Sequence, residues 1–475
     1  MIFSSINFVC FFLIVIVSMA ITNIRFLENK IDTSLLRKWL LLIFSFVFYA
    51  WWDWRFCGLM LIVIGITYAV NVGMTLHPEN RKYYLRAGII CELVILAFFK
   101  YFNFFLDTFK AVFNMQNRLA LNIILPIGIS FYTFQAISFM LDVYRGQVKK
   151  SGFLNTALYI SFFPQLVAGP IVKAKDFLPQ LEENRRISFK NLETGIQIVV
   201  IGLLKKIVIA DHLSVFVDDV YGKPLAFDSL TVLLAVIAYS IQIYCDFSGY
   251  SDMAIGCAKC LGYDLNRNFN LPYAAMNVSE FWKRWHISLS SWLMEYLYFP
   301  LGGNRKGECR RYVNILVTMI LGGLWHGANW NFVLWGTLHG VMLCIHKFWL
   351  KIRQNKSAAD WTAIPCGILT YLWVSFCWVF FRNENITNAF VILKRIFFWS
   401  NDGIRQIFFW LIVAIIFMLS MMAHARKHAK GKLLEEHYII LDLSKTIPLF
   451  IWFVVLGAIL GTAYTGDNPF IYFQF

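Results

Sequence analysis

Leu324-Trp325-His326-Gly327-Ala328-Asn329-Trp330 lies between two apolar runs, 311–325 and 330–348. An imidazole there sits at membrane depth, where a titratable group is costly and marks a functional site by default. Gly322, Gly323 and Gly327 bracket the histidine, and glycine lets a helix loosen and another molecule approach its backbone. Outward from this stretch, apolar runs of span-like length recur along the whole chain, at approximately 5–22, 37–53, 56–74, 87–105, 121–141, 194–217, 228–245, 311–325, 330–348, 362–381, 405–422 and 447–464. Several fall short of the roughly 20 residues that a straight span needs, which leaves room for re-entrant pieces. The sequence predicts an all-α polytopic membrane protein, a single embedded domain over 1–475 with its unusual motifs between 126 and 340.

Composition agrees. Of 475 residues, 59% are hydrophobic, against about 45–50% in globular domains. The net charge of +15 reads as positive-inside bias and not as a nucleic-acid surface. With the N-terminus outside, the inside loops hold Arg25, Lys30, Arg37 and Lys38, then Arg81, Lys82 and Arg86, then Lys149, Lys150, Lys173 and Lys175. Further along they hold Lys347, Lys351 and Arg353, then Arg426, Lys427, Lys430 and Lys432, whereas only Arg55 separates the second and third spans. N-out and C-out is the expected topology. The first apolar run follows Met1–Ser5 with no basic n-region and no A-x-A-like cleavage site, so it reads as a retained span. The ten cysteines are scattered, mostly in apolar stretches, and suggest no disulfide framework. Cys257 and Cys260 form a lone C-x-x-C, without the second pair or βαβ context that a zinc or redox reading needs.

A second histidine closes Phe281-Trp282-Lys283-Arg284-Trp285-His286. Phe281, Trp285, Leu289, Trp292 and Tyr296 recur at helical spacing, which predicts an amphipathic helix at the interface or dipping inward. A helix that merely anchors the fold is the alternative. Ser161–Pro170 carries two prolines and a glycine, and irregular backbone at this depth survives only where protein or a wet cavity satisfies it. Asp246 and Asp252 do not share a helix face, so the expectation for Asp246 is structural, against an arginine or a helix N-terminus. His424 and His428 sit among basic residues and read as solvated charge. No P-loop, Rossmann, H-E-x-x-H or G-x-S-x-G pattern occurs, and no metal site is expected. No internal repeat is visible, which counts against an inverted-repeat transporter.

The chemistry open to these residues is acyl transfer. A neutral imidazole at His326 can take the proton of a hydroxyl as it attacks an acyl carbonyl. N–H groups from Trp325, Asn329, Trp330 or His286 could stabilise the oxyanion. A packed histidine bonded to a nearby carbonyl is the competing reading. His286, beside Lys283 and Arg284, could orient an acyl donor or serve as a helix-end donor. Lys283, Arg284, Arg305 and Lys306 could attract a phosphorylated or CoA-like donor, or be ordinary inside charge. No cysteine or serine is obviously paired with a histidine, so no covalent acyl-enzyme is required.

Several motifs carry a family resemblance: Phe281–His286 with Ile287-Ser288-Leu289-Ser290, Tyr296-Leu297-Tyr298-Phe299-Pro300-Leu301-Gly302-Gly303-Asn304-Arg305, and Trp325-His326-Gly327-Ala328-Asn329. So do Phe48-Tyr49-Ala50-Trp51-Trp52, Pro126-Ile127-Gly128-Ile129-Ser130-Phe131-Tyr132-Thr133-Phe134-Gln135, Ser161–Pro170 and Asp246–Asp252. Together they resemble the membrane-bound O-acyltransferase (MBOAT) family, in its bacterial alginate O-acetyltransferase-like branch. The one departure is Met294-Glu295, where the branch commonly has a basic residue and Asp. The resemblance implies a ring of about 11–12 transmembrane helices with re-entrant or interfacial helices around a central funnel. It implies His326 in the neck and His286 as the second site histidine; beside these two catalytic candidates, Trp282, Arg284, Trp285, Trp325 and Asn329 are expected to contact substrate. The donor, acetyl-CoA or an acyl-carrier protein, would be a cytosolic substrate, with no bound cofactor. The acceptor would be an extracytoplasmic glycan, with a separate SGNH-type hydrolase-like partner, at the cytoplasmic (inner) membrane among its lipids. D-alanyl transfer to teichoic acid, a glycan or lipid transporter and a non-catalytic scaffold are the alternatives. A cavity open to both faces is expected, narrowest at His326 and lined by Trp325, Asn329 and His286.

Overall fold

The computed structural model describes residues 1–24, 32–113, 121–167, 169–183, 185–353, 363–429, 438–464 and 466. Arg25, Lys30, Lys430 and Lys432 of the basic loops, and Ala168 of the 161–170 segment, lie outside the described residues, as do the side chains of Arg426, Lys427 and His428. Among the described residues the chain is helical, with a single isolated bridge, Phe227 to Ile404, and no strand. Six helices among them are long and apolar enough to cross a membrane: Thr33–Asp53, Arg55–Leu76, Pro78–Phe113, Ser229–Cys260, Trp330–Ile352 and Ile364–Arg382. Ile6–Ile21, Phe409–Ala425 and Thr446–Thr462 are apolar but shorter. The residues cluster into two compact units, 1–200 with 250–266 and 201–249 with 267–475.

In the first unit, α1 is Ile6–Ile21, α2 Thr33–Asp53, α3 Arg55–Leu76, α4 Arg81–Leu96 and α5 Ile129–Tyr144. α2 starts where Asp32 Oδ1 accepts the N–H groups of Ser34 and Leu35 at 3.0 and 3.1 Å, satisfying donors that the first turn leaves orphaned. The helix thereby begins at Thr33, ahead of the expected span 37–53, and Arg37 lies inside it and not at its edge. That residue is not a solvated loop charge. Its guanidinium is buried and donates to Thr22 Oγ1 (2.7 Å), Thr22 O (3.1 Å), Asn23 Oδ1 (3.0 Å) and Arg185 O (3.2 Å). A buried charge persists when its donors are met in this way. Phe48 and Phe11 pack on Phe163 with ring centroids 5.6 and 5.4 Å apart, so Phe48 is core, as is Tyr49, whereas Trp51 and Trp52 of the same run are exposed. α3, α4 and α5 meet at Gly88, where a Cβ would lie 2.7 Å from Met140 Sδ and 2.8 Å from Val70 Cγ2. α5 is enclosed by protein along almost its whole length. In the irregular 161–170 stretch Phe163 N–H donates to Ser45 Oγ (3.1 Å) and Gln165 Nε2 to Tyr159 O (2.6 Å), so protein meets part of its polar groups, while Gln165 Oε1 makes no hydrogen bond among the described residues.

In the second unit, α6 is Val278–Arg284, α7 Ile287–Leu293, α8 Glu308–His326, α9 Trp330–Ile352 and α10 Ala363–Arg382. Asp246 pairs with Lys206 at 2.5 Å, and Lys206 also meets Asp211 at 2.7 Å. Asp246 thus meets a buried lysine, where an arginine or a helix N-terminus was expected. α8 and α9 form a hairpin whose backbones touch. A Cβ on Gly323 would run into the Phe332 carbonyl, and one on Gly336 into the Met319 carbonyl. Gly327 is covered by the Phe332 ring. These glycines serve close helix packing and leave α8 regular; of the three around His326, only Gly322 borders open space.

Candidate active site

α8 stops at His326 because Gly327 turns extended (φ −165°, ψ 150°) and Asn329 caps the next helix. Asn329 Oδ1 accepts Asn331 N–H at 2.9 Å, and its Nδ2 donates to Glu384 O at 3.0 Å. The amide expected to contact substrate is thus engaged as a cap. His326 is left as the last helical residue, buried, with the rings of Trp325, Trp335 and Phe381 at 5.1, 5.1 and 5.2 Å, all edge-on. Trp325 is itself buried beside both histidines, 6.0 Å from His286.

His286 occupies the break between α6 and α7, with left-handed φ 43° and ψ 55°. The continuous amphipathic helix expected over 281–296 is therefore two short helices. A non-glycine residue persists in this region only when its surroundings over-determine it. Asn268 does so. Its carbonyl accepts Ile287 N–H at 2.8 Å, and its Oδ1 lies 3.0 Å from His286 Nδ1, 3.3 Å from Ser288 N and 2.8 Å from Ser288 Oγ. A backbone N–H can only donate, so the Asn268 atom is the amide oxygen. His286 Nδ1 must then carry the proton, and Nε2 presents a lone pair. That Nε2 is buried and makes no hydrogen bond among the described residues. Burial pushes the His286 pKa down from the ordinary imidazole value to about 3, so the ring is neutral. The two imidazole centroids are 6.4 Å apart.

Sequence reasoning missed Asn268, which lies in an Asn-rich loop with no motif. Asn268→Ala should cost about 1–3 kcal/mol, the penalty for stranding buried donors, and lower turnover by freeing His286 to change tautomer. Thermal unfolding and acyl-transfer rates check this; unchanged values for both would remove Asn268 from the site.

A cavity of about 600 Å³ runs along α8. Its wall on that helix is Arg311, Ile315, Thr318, Met319, Gly322 and His326, one stripe at three- and four-residue spacing. At 1.5 Å per residue the stripe is about 22 Å long. α9 lines it in the opposite order with Lys347, Leu343 and Trp335. Arg311 and Lys347 therefore mark one end, His326 and Trp335 the other. α6 contributes Ser279, Trp282 and Lys283, and Ser279 Oγ lies 2.9 Å from His346 Nδ1. Lys283, Arg311 and Lys347 form no ion pair among the described residues.

Of the sequence-predicted residues, His326 and Trp282 line this cavity, whereas His286, Arg284, Trp285, Trp325 and Asn329 do not. Trp285 is buried core, stacked on Phe281 at 5.7 Å. Arg284 is buried and bound to Glu280 Oε1 at 2.9 Å and Asn270 O at 3.1 Å, so it is a structural cation. Arg305 and Lys306 are exposed and outside the cavity. The cavity's cations are Lys283, Arg311 and Lys347; the last two were visible only as the far end of the His326 stripe and of its partner helix. Among the described residues no cluster of His, Cys, Asp and Glu is placed to hold a metal ion.

The peptidoglycan O-acetyltransferase of Helicobacter pylori is 37% identical over 75% of this chain and 73% of its own. The probable alginate O-acetylase AlgI of Pseudomonas putida is 35% identical over 92% of this chain and 94% of its own. The teichoic acid D-alanyltransferase of Bacillus subtilis is 28% identical over 55% of this chain and 70% of its own. Residues 41–391, which include both histidines, the Asn268 clamp and the whole cavity wall, match the family pattern described as MBOAT, and the chain belongs to the membrane-bound O-acyltransferase family.

Proposed function

We propose that the chain transfers an acetyl group from a cytosolic thioester donor to a hydroxyl of an extracytoplasmic polysaccharide or cell-wall polymer, with His326 as general base. Family membership makes it a multi-pass membrane O-acyltransferase. The observation that carries the finer reading is the cavity, cationic at one end, apolar along its walls and with an imidazole at the other end. Lys283, Arg311 and Lys347 suit the phosphates of coenzyme A or of a carrier protein's prosthetic arm. The apolar walls hold that arm away from water and deliver its thioester to His326. There the imidazole takes the hydroxyl proton as the oxygen attacks the carbonyl, the C–S bond breaks, and the proton leaves with the thiolate. His286, off the donor cavity's wall but with its ring centroid 6.4 Å from that of His326, would meet the attacking hydroxyl from the other side with Nε2 as acceptor, Asn268 holding its tautomer.

Acetyl is favoured over D-alanyl because the relatives at 35–37% identity are named for O-acetyl transfer, and the D-alanyltransferase is 28% identical. We place the chain in the cytoplasmic membrane with both termini outside, supported by the Lys and Arg of alternate loops. Lys347 and Lys351 then face the cytosol, and Lys351 pairs with Glu308 at 2.6 Å at the cationic end of the hairpin. An extracytoplasmic SGNH-type protein completes delivery to the polymer.

The test uses membrane vesicles of defined sidedness, with glycan acceptor present on the extracytoplasmic face. Labelled acetyl should reach the acceptor only when acetyl-CoA or an acetylated carrier is supplied on the cytosolic face. Equal labelling from the opposite face, or none from either donor, would overturn the proposal.

A further inference from the structure

His339, on α9, is fully buried, and neither ring nitrogen makes a hydrogen bond among the described residues. The indole N–H groups of Trp282 and Trp335 are in the same state. The three rings are mutual neighbours: centroids lie 4.9 Å apart for Trp335 and His339, 5.1 Å for Trp282 and His339, and 5.6 Å for Trp282 and Trp335. Phe281 stacks on His339 at 6.2 Å and 5°. Buried polar groups in folded chains nearly always have partners, and stranding one is unfavourable. A phenylalanine would fill the space at 339 with no such penalty. Packing alone therefore gives no reason for an imidazole there, still less for four unmet nitrogens together.

Trp282 and Trp335 line the cavity; His339 is not itself on the wall but touches both of these rings and lies one helical turn from Trp335 and Leu343, which are walls of it. The cluster thus sits between the cationic end and His326.

We propose that Trp282, Trp335 and His339 form a polar station that hydrogen-bonds an amide of the donor's arm. This rests on the reading that the cavity holds the acyl donor. A pantetheine arm is an extended chain with two amides before its thiol. An apolar cavity strips water from those amides and leaves their carbonyl and N–H groups unmet. Indole N–H groups match an amide carbonyl, and a neutral imidazole supplies one donor and one acceptor. A lipid-linked or simple alkyl acyl donor has no group for the station to bind. The station therefore selects pantetheine thioesters, and His339 is a substrate-binding residue separate from the base.

The test compares two thioesters on the full chain in lipid nanodiscs: acetyl-CoA and S-acetyl dodecanethiol, which has no amide. His339→Phe should raise the KM for acetyl-CoA by about tenfold or more, the scale of a lost hydrogen bond in a dry site. It should leave the KM for the alkyl thioester and the melting temperature no worse than wild type. His339→Gln, which can still donate and accept, should recover part of the loss. An unchanged KM for acetyl-CoA in His339→Phe overturns the station while leaving the donor cavity intact, and equal losses on both thioesters overturn it as mere packing. If His339→Phe does not fold, Trp282→Phe and His339→Gln carry the same comparison. A wild type that turns over neither thioester overturns the donor reading, and the station with it.

Discussion

His326→Ala should lower acyl transfer by roughly 10²–10⁴-fold, the usual contribution of a general base, in a chain that still folds. Folding should survive because the ends of the hairpin do not depend on the imidazole: Gly327 turns the chain and Asn329 caps α9. The edge-on rings of Trp335 and Phe381 at 5.1 and 5.2 Å remain in place around the smaller side chain. The effect falls on chemistry because, among the described residues, His326 is the only histidine on the cavity wall, at the end of the stripe away from Arg311 and Lys347. His286 does not substitute for it. That ring is clamped by Asn268 at 3.0 Å and is not part of the wall. Burial keeps it neutral above about pH 3, so a rate change near neutral pH in the wild type does not come from its titration. The measurement is turnover with acetyl donor and glycan acceptor, with thermal unfolding as the control. Near-normal turnover in a folded variant would end the assignment.

The histidine hairpin was legible because its signals are local. Glycine ends a helix, and Asn329 immediately before Trp330 is a cap signal in plain view. Reading Asn329 as a substrate contact overlooked that second use of the same amide. Arg284 was open to correction in the same way, since Glu280 stands four residues before it and forms the 2.9 Å pair. Other features depend on residues distant in sequence. The periodicity of Phe281, Trp285, Leu289, Trp292 and Tyr296 runs unbroken through His286, because one left-handed residue re-aims the chain without erasing the spacing. The cause of the break is Asn268, eighteen positions away. Arg37 looked like loop charge because its acceptors, the carbonyls of Thr22 and Arg185, carry no mark in sequence. The cavity was legible only in part: a stripe from Arg311 to His326 can be counted off on a helix, but its emptiness depends on what the neighbouring helices leave unfilled.

Gly322→Phe should abolish use of the acyl donor, by roughly 100-fold or more on the scale of a misplaced reactant, while His326 stays intact. Gly322 lies on the cavity stripe one turn before His326, so a donor arm running from Arg311 must pass it. A Cβ built there meets only Leu293 Cδ1, at 3.1 Å, the mobile tip of a side chain. Alanine should therefore be accommodated by a small shift of Leu293, with activity near wild type. A phenyl ring has nowhere to go but the cavity. The adjacent glycine supplies the contrast: at Gly323 the obstacle is the Phe332 carbonyl, which is backbone and cannot yield. Gly323→Ala should thus prise the α8–α9 hairpin apart and cost about 1–3 kcal/mol of stability, as overpacking does. The two glycines, one residue apart, separate a blocked passage from a damaged fold. If folded Gly322→Phe turned over acetyl-CoA at the wild-type rate and KM, the donor would not travel along this stripe, and the path to His326 would have to be sought on another face of α8.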